Sequence, residues 1–196
     1  MMLFNTISLI RTNALLAKSV QLESSTVTFN DNTLTVSGDG SVTRDQVAQY
    51  ADNTFTLVIG GTVNTIAANT FEGFSALTNV TISSSLTISD NAFHNCAVLR
   101  AVDFQNSAIT FGVSAFEGCR QLFSITVKGT VNAIPANAFK DCTSLDTVIL
   151  ETTPRDFKIG DNAFYGCQNL YTFHTLTDTV SVGKNSRHFH RRISCL

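Results

Sequence analysis

Apolar and polar positions recur along this chain with a fixed long period. Each copy runs through an apolar residue, a short polar stretch, a Phe, a second apolar slot three residues later and a Leu six residues later. In the first four copies, apolar residues follow again nine and eleven positions past the Phe. The marking phenylalanines are Phe71, Phe93, Phe116, Phe139 and Phe164, spaced 22, 23, 23 and 25 residues apart. A repeat in the twenties predicts a solenoid, because one copy cannot bury its apolar face alone and must share it with its neighbours.

The second half of a copy reads as a strand. Leu145, Val148 and Leu150 have their equivalents in Leu77/Val80/Ile82, Leu99/Val102/Phe104 and Leu122/Ile125/Val127. Strand alternation turns the positions nine and eleven past the Phe inward, and those eight and ten past it outward. The first half predicts a single helical turn. Asn69, Asn91, Ser114, Asn137 and Asn162 are residue types that cap a helix start. Gly73, Asn95, Gly118, Asp141 and Gly166 tolerate the left-handed backbone of a helix end. Between them the Phe and the slot three residues on face the core. Ile66, Ile88, Phe111, Ile134 and Ile159, five residues before each Phe, join them.

The ends depart from the repeat. Phe55–Ile59 reads as a strand of the same sheet without its Phe turn. Thr26–Asn30 and Thr33–Ser37 alternate around the turn residues Asp31 and Asn32, and Thr43 with Gln46 fits a capping box that opens a short helix to about Ala51. The expected division is a lead-in or weakly signal-like segment over 1–23, an N-terminal cap over 24–53, repeats over 54–176 and a basic, disordered tail over 177–196. Thr175 stands where an apolar residue is expected, and Gly183–Leu196 carries Lys184, Arg187, Arg191 and Arg192 without an acid. An end without a cap exposes core, so self-association there is one expectation.

Composition narrows the function. Net charge is −2 and 14% of the 196 residues are charged, which offers no field for specific nucleic-acid recognition. No apolar run reaches the roughly 18 residues of a transmembrane helix. Cys96, Cys119, Cys142 and Cys167 hold the slot three residues past the Phe, which Phe74 fills in the first copy, and Cys195 stands apart. None has zinc or redox spacing, and stacked rungs about 4.8 Å apart would spread the four thiols over about 14 Å. They are read as buried free thiols, forming with the five phenylalanines a structural spine. No metal or cofactor is expected, and His188 with His190 is at most a weak metal pair, a pattern more often without a role in a tail.

Chemistry is sparse on the outward strand positions. These form the columns Thr56/Asn79/Ala101/Ser124/Thr147/Thr172 and Val58/Thr81/Asp103/Thr126/Ile149/His174. Asp103 and His174 lie three rungs apart, about 14 Å, too far for shared acid–base work. No catalytic residue is assigned. The candidate ligand-binding face is Thr56, Val58, Asn79, Thr81, Asp103, Ser124, Thr126, Thr147 and Ile149.

The run Ile159–Leu170, with the Ala-Phe-x-x-Cys-x-x-Leu core at Phe93, Phe116, Phe139 and Phe164, resembles the BspA-like leucine-rich repeat family. The resemblance covers about residues 55–176. It implies a leucine-rich repeat solenoid of the α/β repeat class, with a parallel sheet and short helical turns. It also implies adhesion or protein binding, to extracellular matrix or host surfaces, from a secreted or cell-surface position, while the outward columns themselves are read as a face for a protein or glycan ligand. The alternative is a cytoplasmic scaffold that assembles through solenoid ends.

Overall fold

The computed structural model describes residues 25–105, 107–177 and 179–186, with the backbone of Ile193 and Ser194. The segment over 1–23, Cys195, the His188/His190 pair and Arg187, Arg191 and Arg192 of the basic tail lie outside the described residues.

The chain opens with strands β1 (Ser25–Asn30) and β2 (Thr33–Val42), paired antiparallel. Asp31 and Asn32 between them have φ of 45° and 60°. Two left-handed residues make the turn whose twist suits a two-residue hairpin. A short helix α1 (Arg44–Val47) follows, with the Thr43 N–H donating to Gln46 Oε1 at 2.8 Å, and a 3-10 turn covers Ala48–Tyr50.

Each rung then lays down two strands. The first sheet contains β3 (Thr56–Ile59), β5 (Asn79–Ile82), β7 (Ala101–Asp103), β9 (Ser124–Thr130), β11 (Thr147–Thr152), β13 (Thr172–Thr175) and β15 (Ile193–Ser194), all parallel. The second contains β4 (Thr62–Ile66), β6 (Leu86–Ile88), β8 (Ile109–Phe111), β10 (Ala133–Ile134), β12 (Phe157–Ile159) and β14 (Val180–Val182). Strand β2 belongs to both, since Thr33–Val36 pair with β3 and Asp39–Val42 with β4. The core fills the space between the two sheets and the Phe turns, and the inward strand residues, Leu57 and Ile59 through Val148 and Leu150, are buried.

The Phe turns are not helical. Their amides alternate in purpose. Phe71 and Gly73 donate to the Ala92 and His94 carbonyls of the next rung, each at 2.8 Å, while Glu72 and Phe74 donate back to Asn69 and Phe71 at 3.3 and 3.2 Å. The same alternation recurs at Phe93/Asn95, Phe116/Gly118 and Phe139/Asp141. A helix would keep every amide for itself, and a stacked rung needs half of them for its neighbour. Asn69, Asn91, Ser114, Asn137 and Asn162 therefore adopt φ of 54–58° and are left-handed corner residues, not the helix N-caps expected from their identity. The left-handed conformation expected at Gly73, Asn95, Gly118, Asp141 and Gly166 is present, with φ between 57° and 80°.

One rung interrupts the second sheet. Ala67, Ser89, Gly112, Gly160 and Gly183 each donate an amide to the rung before, to the carbonyls of Val42, Ile66, Ile88, Ile134 and Ile159 at 2.7–3.0 Å. Pro135 holds this position in the remaining rung and has no N–H to give. There the sheet divides into β2-β4-β6-β8 and β10-β12-β14.

Regular structure also runs past residue 176, where a disordered tail is expected from sequence. Thr175 is buried, and its hydroxyl lies 2.7 Å from Thr153 Oγ1, so a polar side chain fits the core position with its hydrogen bond made. Strand β14 pairs with β12, and Ser186 Oγ accepts from the Ala163 N–H at 2.9 Å and donates to the Gly160 carbonyl at 2.6 Å.

Candidate interaction surface

The spine sets the scale of the surface above it. Successive rings of Phe71, Phe93, Phe116, Phe139 and Phe164 stack with centroids 5.2, 5.0, 5.5 and 5.5 Å apart and planes within 14°. Beside them each cysteine thiol donates to the Phe carbonyl one rung back: Cys96 to Phe71 at 3.1 Å, Cys119 to Phe93 at 3.2 Å, Cys142 to Phe116 at 3.1 Å and Cys167 to Phe139 at 3.0 Å. Burial pushes the Cys96 and Cys167 thiols up to about 12 and those of Cys119 and Cys142 well above their ordinary value. These thiols are packing groups, protonated and shielded from reagents.

Strand pairing brings the outward residues into register. Thr56, Asn79, Ala101, Ser124, Thr147 and Thr172 are successive partners, as are Val58, Thr81, Asp103, Thr126, Ile149 and His174. Asn79, Ala101 and Asp103 are exposed and the others half-buried. The carboxylate of Asp103 accepts from the Gln105 N–H at 2.8 Å, so it closes the turn that ends β7. That early end leaves an open recess of about 440 Å³ lined by Val102, Asp103, Gln105, Thr126 and Lys128. Asp103 and His174 stand three strand pairings apart. Among the described residues no cluster of three or more His, Cys, Asp and Glu side chains is placed to hold a metal ion.

A third column beside these two follows no alternation rule. Phe55 and Thr56 both donate to the Asn32 carbonyl at 2.9 and 3.2 Å, Thr78 and Asn79 to Phe55 at 2.9 and 3.1 Å, and Tyr171 and Thr172 to Asp146 at 2.9 and 3.0 Å. Paired amides on one acceptor mark where the chain enters the strand, ahead of the regular ladder that sets the alternation. The column reads Phe55, Thr78, Arg100, Phe123, Asp146 and Tyr171. Phe55, Phe123 and Tyr171 are 48%, 59% and 64% exposed, the two rings of Phe55 and Phe123 among the largest apolar groups in solvent. The signal was present in the residue after each repeat Leu, which a strict alternation would turn inward.

Two stacked parallel sheets, a ring spine and a corner of turns define a leucine-rich repeat solenoid. The family model for the BspA type leucine rich repeat region matches residues 48–171 in six copies, and the chain belongs to that family. Its backbone is similar to the leucine-rich repeat protein of T. pallidum, with 18% identity and a TM-score of 0.53 over 87% of this chain and 89% of that one. It is also similar to a leucine rich cell surface protein from Faecalibacterium prausnitzii A2-165, with 21% identity and a TM-score of 0.51 over 80% of this chain. The match spans 53% of that longer protein. No curated protein matches the chain.

Proposed function

We propose that the chain is a non-catalytic recognition module that binds a protein or glycan ligand through the outer face of its first sheet, at the cell surface or after secretion. The observation that carries this reading is the registered pair of columns, rich in Thr, Ser and Asn, on a spine-backed sheet. Such a face lets a ligand approach closely without first displacing long, mobile side chains, whose ordering costs roughly 0.5–1.5 kcal/mol each. The cell-surface neighbour supports the location. Among the described residues no helix is long and apolar enough to cross a membrane.

The test places arginines across the face. The paired change Thr81→Arg and Thr126→Arg is expected to abolish binding to an immobilised extracellular-matrix preparation or to polysaccharides, read by biolayer interferometry. The circular dichroism melt should stay within a few degrees of wild type. Full retained binding by the pair would remove this face from the proposal.

A further inference from the structure

Phe55, Phe123 and Tyr171 stand in single file along the edge of the first sheet formed by the starts of its strands. With rungs about 4.8 Å apart, Phe55 and Phe123 are separated by three steps, about 14 Å, and Phe123 and Tyr171 by two, about 10 Å. Rings so far apart do not form the contiguous, water-excluding cluster that a protein hot spot needs. They suit a stretched ligand that presents an apolar face again and again. An extended β-1,4-linked pyranose chain does this, advancing by nearly one rung per sugar and offering the C–H face of each ring to an aromatic plane.

The polar groups between the rings fit the same ligand. Asn79, Gln121 and Asn169 are exposed beside the column, with Asn169 Nδ2 donating to the Thr143 carbonyl at 2.9 Å. The column's two charges are opposite and each has a neighbour: Arg100 Nε donates to Gln121 Oε1 at 3.0 Å, and Asp146 accepts from Thr147 Oγ1 at 2.8 Å. Neither sign dominates, so the edge does not select an anionic or cationic polymer.

We infer that this edge is a linear binding track for an uncharged β-1,4-linked glycan, one sugar per rung, with Phe55, Phe123 and Tyr171 as stacking platforms. The inference rests on the recognition role proposed above and supplies its ligand class. The register makes the length dependence specific. A trisaccharide reaches from Phe123 to Tyr171, whereas contact with Phe55 as well takes six sugars, one for each of the six rungs in the column.

The experiment is isothermal titration calorimetry of the full chain with cellohexaose, hexa-N-acetylchitohexaose and the corresponding trisaccharides. At least one hexasaccharide is expected to bind about tenfold or more tightly than its trisaccharide, since one added stacking contact worth about 1.4 kcal/mol gives that ratio. Phe55→Ala should erase the hexasaccharide advantage and leave the trisaccharide unchanged, while Phe123→Ala should weaken both. All three side chains are exposed, so the thermal melts of the variants report whether folding is intact. Absence of binding by both hexasaccharides overturns the inference, as does hexasaccharide binding indifferent to the paired change Phe123→Ala and Tyr171→Ala. Binding to the matrix preparation that Thr81→Arg and Thr126→Arg abolish, with no saccharide bound, overturns the glycan track and leaves the recognition face standing.

Discussion

At the scale of the residue, the cysteine column shows how one side chain meets two demands. The carbonyls of Phe71, Phe93, Phe116 and Phe139 each accept the amide of the residue three positions later, and the thiol one rung on gives each a second donor. Alanine would leave a void and lose the donor, and the charged thiolate has no place in so dry a slot. In the first copy no Phe turn precedes, so no such carbonyl waits for a thiol, and Phe74 fills the larger space with its ring edge-on to Phe71 at 5.2 Å. The consequence appears in alkali. Burial holds Cys96 and Cys167 near 12 against an ordinary value of 9.0, so ionisation favours the unfolded chain. Their contribution to stability is complete below pH 9 and is lost as pH climbs from there toward about 12. Chemical denaturation at stepped pH should show the midpoint falling above pH 9, and Cys142→Val should flatten that fall while remaining folded. A midpoint independent of pH up to 11 would contradict a dry thiol column.

At the scale of the element, the N-terminal end of the turn wall exposes what stacking requires. From Phe93 on, the Ala before each spine Phe and the residue after it offer their carbonyls to amides of the preceding rung, and the first copy has no preceding Phe turn. Arg44 of α1 takes that place: its Nη1 donates to the Thr70 carbonyl at 3.3 Å and the Glu72 carbonyl at 2.6 Å, with the guanidinium 5.6 Å from the centre of the Phe74 ring. Arg44→Met keeps much of the stem and removes both donors. It is expected to cost about 1–3 kcal/mol and to raise amide exchange in the first turn before any other, measured by hydrogen–deuterium exchange. Uniform loss of protection along the chain would show that Arg44 does not act as a local cap. This end also shows what was legible beforehand. The first-sheet strands were readable because Leu-x-x-Val-x-Leu alternates over enough residues to reveal its period, and the spine because Phe recurs at one place. The second sheet was not, since strands as short as Leu86–Ile88 give only one turn of alternation. The corner residues misled because Asn and Ser serve both as helix caps and as left-handed corners, and only the next rung decides between these. The aromatic edge stayed hidden because its residues stand just before the strands, where the alternation used to assign faces does not yet hold.

At the scale of the whole molecule, the two sheets differ in continuity. The first is paired through from β2 to β15, whereas the second is cut at Pro135. In a solenoid each rung leans only on its neighbours, so coupling along the stack is carried by whatever bonds cross each junction. Between β8 and β10 the second sheet contributes least, and the spine stacking of Phe116 on Phe139 with Phe111 edge-on to both at 6.1 and 5.4 Å carries the load. Pro135→Ala supplies the missing N–H opposite the Phe111 carbonyl. The gain of a hydrogen bond, about 1 kcal/mol, is opposed by roughly 0.4–1 kcal/mol from the freer unfolded chain. Total stability is therefore expected to move by less than about 1 kcal/mol, while the new amide at 135 becomes protected and the exchange rates of the rungs on either side converge. A new amide that exchanges as fast as an open loop would show that the cut comes from the spacing of the rungs, and that proline occupies a gap already made for it.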